Sequence, residues 1–257
     1  MATTQNIKEK VNDILLTDRT TGNHILNTET YTPYLSMPKL IPRCQRLKED
    51  NDKRSKDKAE IFTPIRIVKQ MNDMVMEEYH KENHSFDEYV DSTQLEITCG
   101  EGVFLATRYD SETGSIIPIE KRVGLLDRKL QRLCIEVNDK ALFLNYLPRI
   151  AKSIYGYEYQ GDSLLMARFN ILFSFVDYYK FKYNDSFPQD VFLEVSEIIV
   201  WNIFQMDGLT MCIPQKDVVK TKEKEYKAIN GIPVKINNWK ENKIEFFNPD
   251  LDFNYDC

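Results

Sequence analysis

The spacing of apolar positions divides the chain into helical stretches and short runs of strand length. Ile67/Val68, Met71, Met74/Val75 and Tyr79 recur at helical intervals behind Thr63-Pro64. A helix is therefore expected over roughly 64–81, with Thr63 as its N-cap and Pro64 at the first position, where a missing N–H costs nothing. Leu126, Leu130, Leu133 and Val137 mark a second amphipathic helix, with Pro148 ending or kinking its continuation. Asp162 or Ser163 can cap a third, running through Leu164 to Leu172, and a short helix is expected near Ile7–Leu16. Strand-length runs rich in β-branched and aromatic residues occur at Leu95–Thr98, Ser153–Tyr159, Ile198–Ile203 and Lys243–Phe247. A further short helix is expected through Ala106–Tyr109. Strand and helix alternate, which predicts an α/β fold with a mostly parallel, helix-covered sheet.

Polarity changes the picture at the N-terminal end. From Arg46 to Lys58 both signs of charge alternate with almost nothing apolar, as in a solvated linker. Residues 1–59 are accordingly expected to form a polar arm and linker, and residues 60–257 the folded domain. With 257 residues, 42% of them hydrophobic and 29% charged, the chain can bury a full core. No apolar run approaches bilayer-spanning length, and Met1–Gln5 lacks the basic-then-apolar pattern of a secretory signal; a cytoplasmic protein without membrane contact is expected. The formal net charge of −6 lowers the expectation of a freestanding nucleic-acid binder without excluding a local basic patch. Five widely spaced cysteines without a Cys-x-x-Cys pair argue for reduced thiols. His24, His80 and His84 form no convincing ligand set, so no metal site is expected.

The candidate chemistry centres on Cys99-Gly100-Glu101-Gly102-Val103, directly after the strand candidate at Leu95–Thr98. A glycine turn between a strand end and a helix start is where an open α/β sheet holds a cofactor, although a single Gly-x-Gly also fits an ordinary tight turn. Three carboxylates, Glu96, Glu158 and Asp207, fall at or near the ends of successive strand candidates. A carboxylate after the second strand suits both hydroxyls of a ribose, and one after the third suits an adenine amino group. Together with the glycine turn they favour an adenosine-containing cofactor. Leu105 stands where a dinucleotide fingerprint needs its third glycine, and no phosphate-loop Gly-x-x-x-x-Gly-Lys-Ser/Thr occurs.

These residues resemble the S-adenosylmethionine-dependent DNA N6-adenine methyltransferases of restriction–modification systems. Phe62-Thr63-Pro64, with Ile67-Val68 and Met71 behind it, looks like the motif that approaches the methionine end of the cofactor. Glu96-Ile97-Thr98-Cys99-Gly100 parallels the family's acidic-Pro-Ala-Cys-Gly, with Ile97 in place of the proline. Ile154–Glu158 with Ala167-Arg168-Phe169-Asn170 resembles the ribose motif, and Asn202-Ile203 through Asp207-Gly208-Leu209 the adenine motif. Arg122–Leu130 and Tyr155–Leu165 look like short proteins described as modification subunits. The resemblance covers about residues 60–210. It implies a Rossmann-like methyltransferase sheet, S-adenosylmethionine as cofactor and DNA as partner. Phe62, Thr63, Pro64, Glu96, Cys99, Gly100, Gly102, Glu158 and Asp207 are the implied cofactor-binding residues.

The chain also departs from the family. Such enzymes hold a flipped adenine with Asn/Asp-Pro-Pro-Tyr/Phe after the fourth strand, the polar groups accepting from its amino group and the aromatic ring stacking on it. The nearest match is Asn248-Pro249-Asp250-Leu251, which makes Asn248 and Pro249 the candidate catalytic pair and Phe253 or Tyr255 the stacking candidate. The expected sheet is truncated after its fourth strand. Two functions follow: a DNA adenine methyltransferase or its modification subunit, or an inactive methyltransferase-like module that needs a protein partner. A small-molecule methyltransferase fits the acidic charge but not the motif order.

Overall fold

The computed structural model describes residues 4–22, 24–26, 44, 63–80, 84–215, 218–220, 226–228 and 231–247. Helix α1 (Thr4–Leu16) leads through β1 (Thr17–Asp18) and a 3-10 turn to β2 (His24–Ile25). Helices α2 (Ile65–His80) and α3 (Phe86–Asp91) precede β3 (Gln94–Glu96). Then follow α4 (Leu125–Glu136), α5 (Lys140–Lys152), β4 (Ile154–Glu158), α6 (Gly161–Tyr183), α7 (Gln189–Asn202) and β5 (Ile203–Gln205). The last elements are two antiparallel pairs, β6 (Val218–Lys220) with β7 (Tyr226–Ala228), and β8 (Lys235–Asn238) with β9 (Lys243–Phe246).

Strands β3, β4 and β5 form a parallel sheet in sequential order, with Glu96 opposite Gly156 and Glu158 opposite Gln205. Alternation along a strand puts Glu96, Gly156, Glu158 and Gln205 on one face and Leu95, Tyr155, Tyr157 and Phe204 on the other. Ile154 and Ile203, on the first face, belong to the main core with the helices. On the second face Tyr157 and Phe204 form a smaller cluster with Met206 and Val234, flanked by Ile236 and Phe247. The molecule is thus a mixed α/β protein with a three-stranded parallel sheet, helical on one face and partly covered by the β8–β9 hairpin on the other.

Helix α6 is the spine. It is apolar nearly all round, as a helix enclosed by its neighbours must be, and it ends where Asn184 turns left-handed at φ 50°. Helix α3 starts with a capping box, Ser85 accepting from the Glu88 N–H and Glu88 from the Ser85 N–H. At the start of α4, Asp127 accepts from the Gly124 N–H, and a Cβ on Gly124 would come within 2.3 Å of the Leu105 carbonyl oxygen.

Several expectations are corrected. Ile198–Asn202 is the end of helix α7, not a strand; β5 starts only at Ile203. A short apolar run buried on all sides has no period by which strand and helix differ. Ala106–Tyr109 is not helical: residues 101–105 turn tightly, and Thr107 is drawn into the interior, where its N–H and hydroxyl both donate to Asp127. Strand β9 exists but pairs with β8, so the parallel sheet has three described strands, not four. Helix α5 runs through Pro148 to Lys152, and α6 is capped at Gln160 rather than Asp162 or Ser163. Within α2 the buried stripe is Val68, Asn72 and Met76, while Met71, Met74 and Val75 are exposed. The Lys-rich stretch 216–227, whose composition predicts a solvated loop, contributes β6 and part of β7.

The described part of the segment read as a polar arm enters the core. Val11, Ile14, Leu15, Leu16 and Leu26 join the main cluster, and the fully buried Arg168 of α6 fastens it there. Its Nη1 donates to the carbonyls of Leu15 (2.6 Å) and Thr17 (2.9 Å), and its Nε to Ile203 (2.7 Å). Its Nη2 stands 3.5 Å from Asp18 Oδ2, which accepts from the Gln205 N–H. Removing the cation leaves those carbonyls without their donor and the buried Asp18 carboxylate without its counter-charge. Arg168→Met is expected to lower stability by about 3–5 kcal/mol in urea unfolding. Arg168→Lys should recover little of it, because an ammonium lacks the planar fork.

Candidate functional site

The turn after β3 is built from left-handed backbone. Thr98, Gly100 and Gly102 have φ of 51°, 55° and 78°; glycine adopts this readily, whereas a β-branched residue such as Thr98 does so under strain. The Cys99 N–H donates to the Tyr157 carbonyl, keeping the chain beside β4, and the Gly102 N–H closes back on Cys99 at 2.7 Å. A Cβ on Gly102 would lie 3.2 Å from Ala167 Cβ, so the turn packs directly on α6. One turn further along that helix, Asn170 Nδ2 donates to the Glu101 carbonyl and to Tyr109 Oη, and Tyr109 in turn donates to Glu101 Oε2. The turn is therefore clamped from below. Above it, a Cβ on Gly100 would meet nothing within 4 Å.

Glu158, at the end of β4, joins this turn to the next helix. Its Oε2 accepts from the Gly100 N–H and its Oε1 from the Gln160 N–H, both at 2.9 Å. Glu96 stands on the same sheet face at the end of β3, half-buried, and burial pushes its carboxyl up to about 7. Cys99 lies between them: its side chain fills the space that a Cβ on Gly156 would need, at 3.3 Å. Burial raises its thiol, and the Glu158 and Glu96 charges raise it further. Cys99 is thus a protonated packing residue rather than a nucleophile.

Asp207 follows β5 by two residues. The preceding N–H, of Met206, donates to the Glu158 carbonyl, which brings Asp207 to the same sheet edge. Its Oδ1 accepts from the Leu209 N–H, and its main chain closes a loop through Met211 and Cys212. Thr63-Pro64 opens α2, Thr63 O accepting from Ser111 Oγ, while Asn72 of the same helix donates to the carbonyls of Phe104 and Val123. This end of α2 is tied to the chain that leaves the glycine turn rather than to the turn itself. Phe62, Asn248, Pro249, Phe253 and Tyr255 lie outside the described residues.

Glu96, Cys99, Gly100, Gly102, Glu158 and Asp207 therefore gather along one end of the sheet, while Thr63 is held at Ser111, beyond the turn. Sequence reasoning missed Tyr109, the residue that fixes Glu101. No signal marked it, because its hydroxyl meets Glu101 and Asn170 only after the loop has folded. Arg122–Leu130 proves to be a packing unit, Gly124 and Asp127 closing on Thr107. Burial raises the Asp127 carboxyl although three donors reach one of its oxygens. Among the described residues no group of three His, Cys, Asp or Glu side chains could hold a metal ion, and no helix is long and apolar enough to cross a membrane. No family model, curated protein or solved structure matches the chain.

Two outcomes test this geometry. Gly102→Ala combines a left-handed side chain with crowding against Ala167 and should lower stability by about 1–3 kcal/mol in urea unfolding. Glu96 titrates higher folded than its ordinary 4.5, so the native state binds the extra proton and loses stability as pH rises from about 4.5 to about 7. Glu96→Gln should flatten that part of the stability–pH profile.

Proposed function

We propose that this sheet edge binds S-adenosylmethionine and that the chain is a methyltransferase-like subunit on a Rossmann-like sheet, working in the cytoplasm. The observation that carries the reading is the link from Glu158 to the Gly100 N–H, with Glu96 and Asp207 on the neighbouring strand ends. Parallel strands present their ligand crevice at the carboxyl ends, and here those ends carry acidic groups beside an open glycine. Glu158, whose oxygens accept from the Gly100 and Gln160 N–H groups, is the acceptor for the hydroxyls of a ribose. Asp207, one strand further, is the acceptor for an adenine amino group. Gly100 lets the cofactor approach the main chain, and the clamp by Ala167 and Asn170 keeps the turn in place while it does so.

DNA as methyl acceptor and a protein partner belong to the same proposal. One observation favours the partner-dependent, binding-module reading over a self-sufficient enzyme: β9, the strand preceding Asn248-Pro249, lies in the hairpin and not in the parallel sheet. Asn248 would accept from the target amino group only if that segment reached the sheet edge.

Calorimetry with S-adenosylmethionine should give saturable binding, weakened at least about tenfold, or ~1.4 kcal/mol, in Glu158→Gln. No heat at millimolar ligand would remove the proposal. Labelled-methyl transfer to unmethylated DNA by the same sample separates enzyme from module, and activity surviving in Asn248→Ala would remove Asn248 from the chemistry.

A further inference from the structure

A cavity of about 520 Å³ opens on the opposite sheet face, under the β8–β9 hairpin, and none of the carboxylate-edge residues lines it. Its volume falls in the range of small-molecule sites. The apolar part of the lining is Leu95 and Tyr155 from the sheet, with Ile236, Trp239 and Phe247 from the hairpin region. Leu95 is 46% exposed although it lies within a parallel sheet, where both faces are ordinarily covered.

The aromatic walls are held in position before any ligand arrives. Trp239 Nε1 donates to Asn202 Oδ1 at 2.8 Å, and Asn202, fully buried, donates to the Ala151 carbonyl at 3.0 Å. The Tyr155 hydroxyl donates to the Asn237 carbonyl, tying sheet to hairpin. Fixed rings lose little entropy on binding a flat molecule.

Charge selects the ligand further. Arg149 at the rim is neutralised by Asp87 and Asp91, and Glu245 is paired with Lys243 and Asn238. Lys152 and Lys240 also line the cavity, and among the described residues neither has a carboxylate within ion-pair distance. The Lys152 ammonium stands 5.3 Å from the Trp239 ring centroid, so a cation sits beside an aromatic wall. The charged lining is Arg149, Lys152 and Lys240 against Asp91 and Glu245, one positive charge in excess, which a single anionic group balances.

We infer that this cavity is a second ligand site, for a flat aromatic molecule carrying a single negative charge, its ring against Trp239 and Tyr155 and its anionic group at Lys152 and Lys240. The inference is independent of cofactor binding at the carboxylate edge.

The test uses 2-naphthoate and the full chain carrying Trp201→Phe, which leaves Trp239 as the sole tryptophan reporter. Naphthoate should change Trp239 fluorescence saturably. The neutral isostere 2-naphthamide, and naphthoate with Lys152→Met, should each bind at least about tenfold more weakly. Lys152→Met keeps the apolar stem, and an unchanged melting curve shows that the fold is intact. Glu158→Gln should leave naphthoate binding unaltered, which separates this site from the proposed cofactor site. The inference is overturned by the lack of a saturable signal at about 10 mM naphthoate, by equal affinity for the amide, or by undiminished binding in Lys152→Met.

Discussion

The fold depends on one buried guanidinium. Arg168 lies at the centre of the molecule with no access to water, and burial lowers its pKa to about 10. A charge so placed is tolerable only if nearly every N–H finds an acceptor. The acceptors come from two stretches of chain that are remote in sequence, the junction of α1 with β1 and the junction of α7 with β5. These are the places where helix and strand carbonyls are left over when a regular element stops. Arg168 collects those ends, and the sheet and the N-terminal segment acquire their mutual positions from it. Asp18 adds the complementary charge and holds β5 through the Gln205 N–H.

The same helix serves the carboxylate edge. Ala167 and Asn170 flank Arg168 in sequence and point toward the glycine turn, so one stretch of α6 both anchors the core and supports the site. The absence of a Cβ at Gly102 permits the approach to Ala167. At Gly156 it makes room for Cys99, which lets Glu96 and Glu158 flank a small, uncharged side chain. The turn is rigid because of its floor, while Gly100 remains open on the other side. A rigid floor beneath an open backbone suits ligand capture better than an ordinary connecting turn would require.

Much of the candidate site was legible as a pattern along the chain. The glycines at 100 and 102 and the carboxylates at 96, 158 and 207 stand at positions where strand-like runs end, and register alone then brings them to one edge. The link from Glu158 to the Gly100 N–H was not legible, since it joins residues 58 apart. Nor was the second cavity, whose walls come from α5, β3, β4 and the hairpin, with no motif in any one of them.

Local pattern by itself determined where α2 and α4 run, where the first half of α6 falls and where β3 and β4 lie, because amphipathic spacing, apolar runs and glycine turns are properties of neighbouring residues. Only the tertiary structure decided that Ile198–Asn202 is helical, that β9 folds back on β8, and that Val68, Asn72 and Met76 form the buried stripe of α2. It also decided that Val11, Ile14, Leu15, Leu16 and Leu26, from an arm with a polar composition, are held in the core. The physical reason is common to all four: each depends on which polar groups are satisfied and which apolar faces are covered once distant segments meet, and no window along the chain contains both partners.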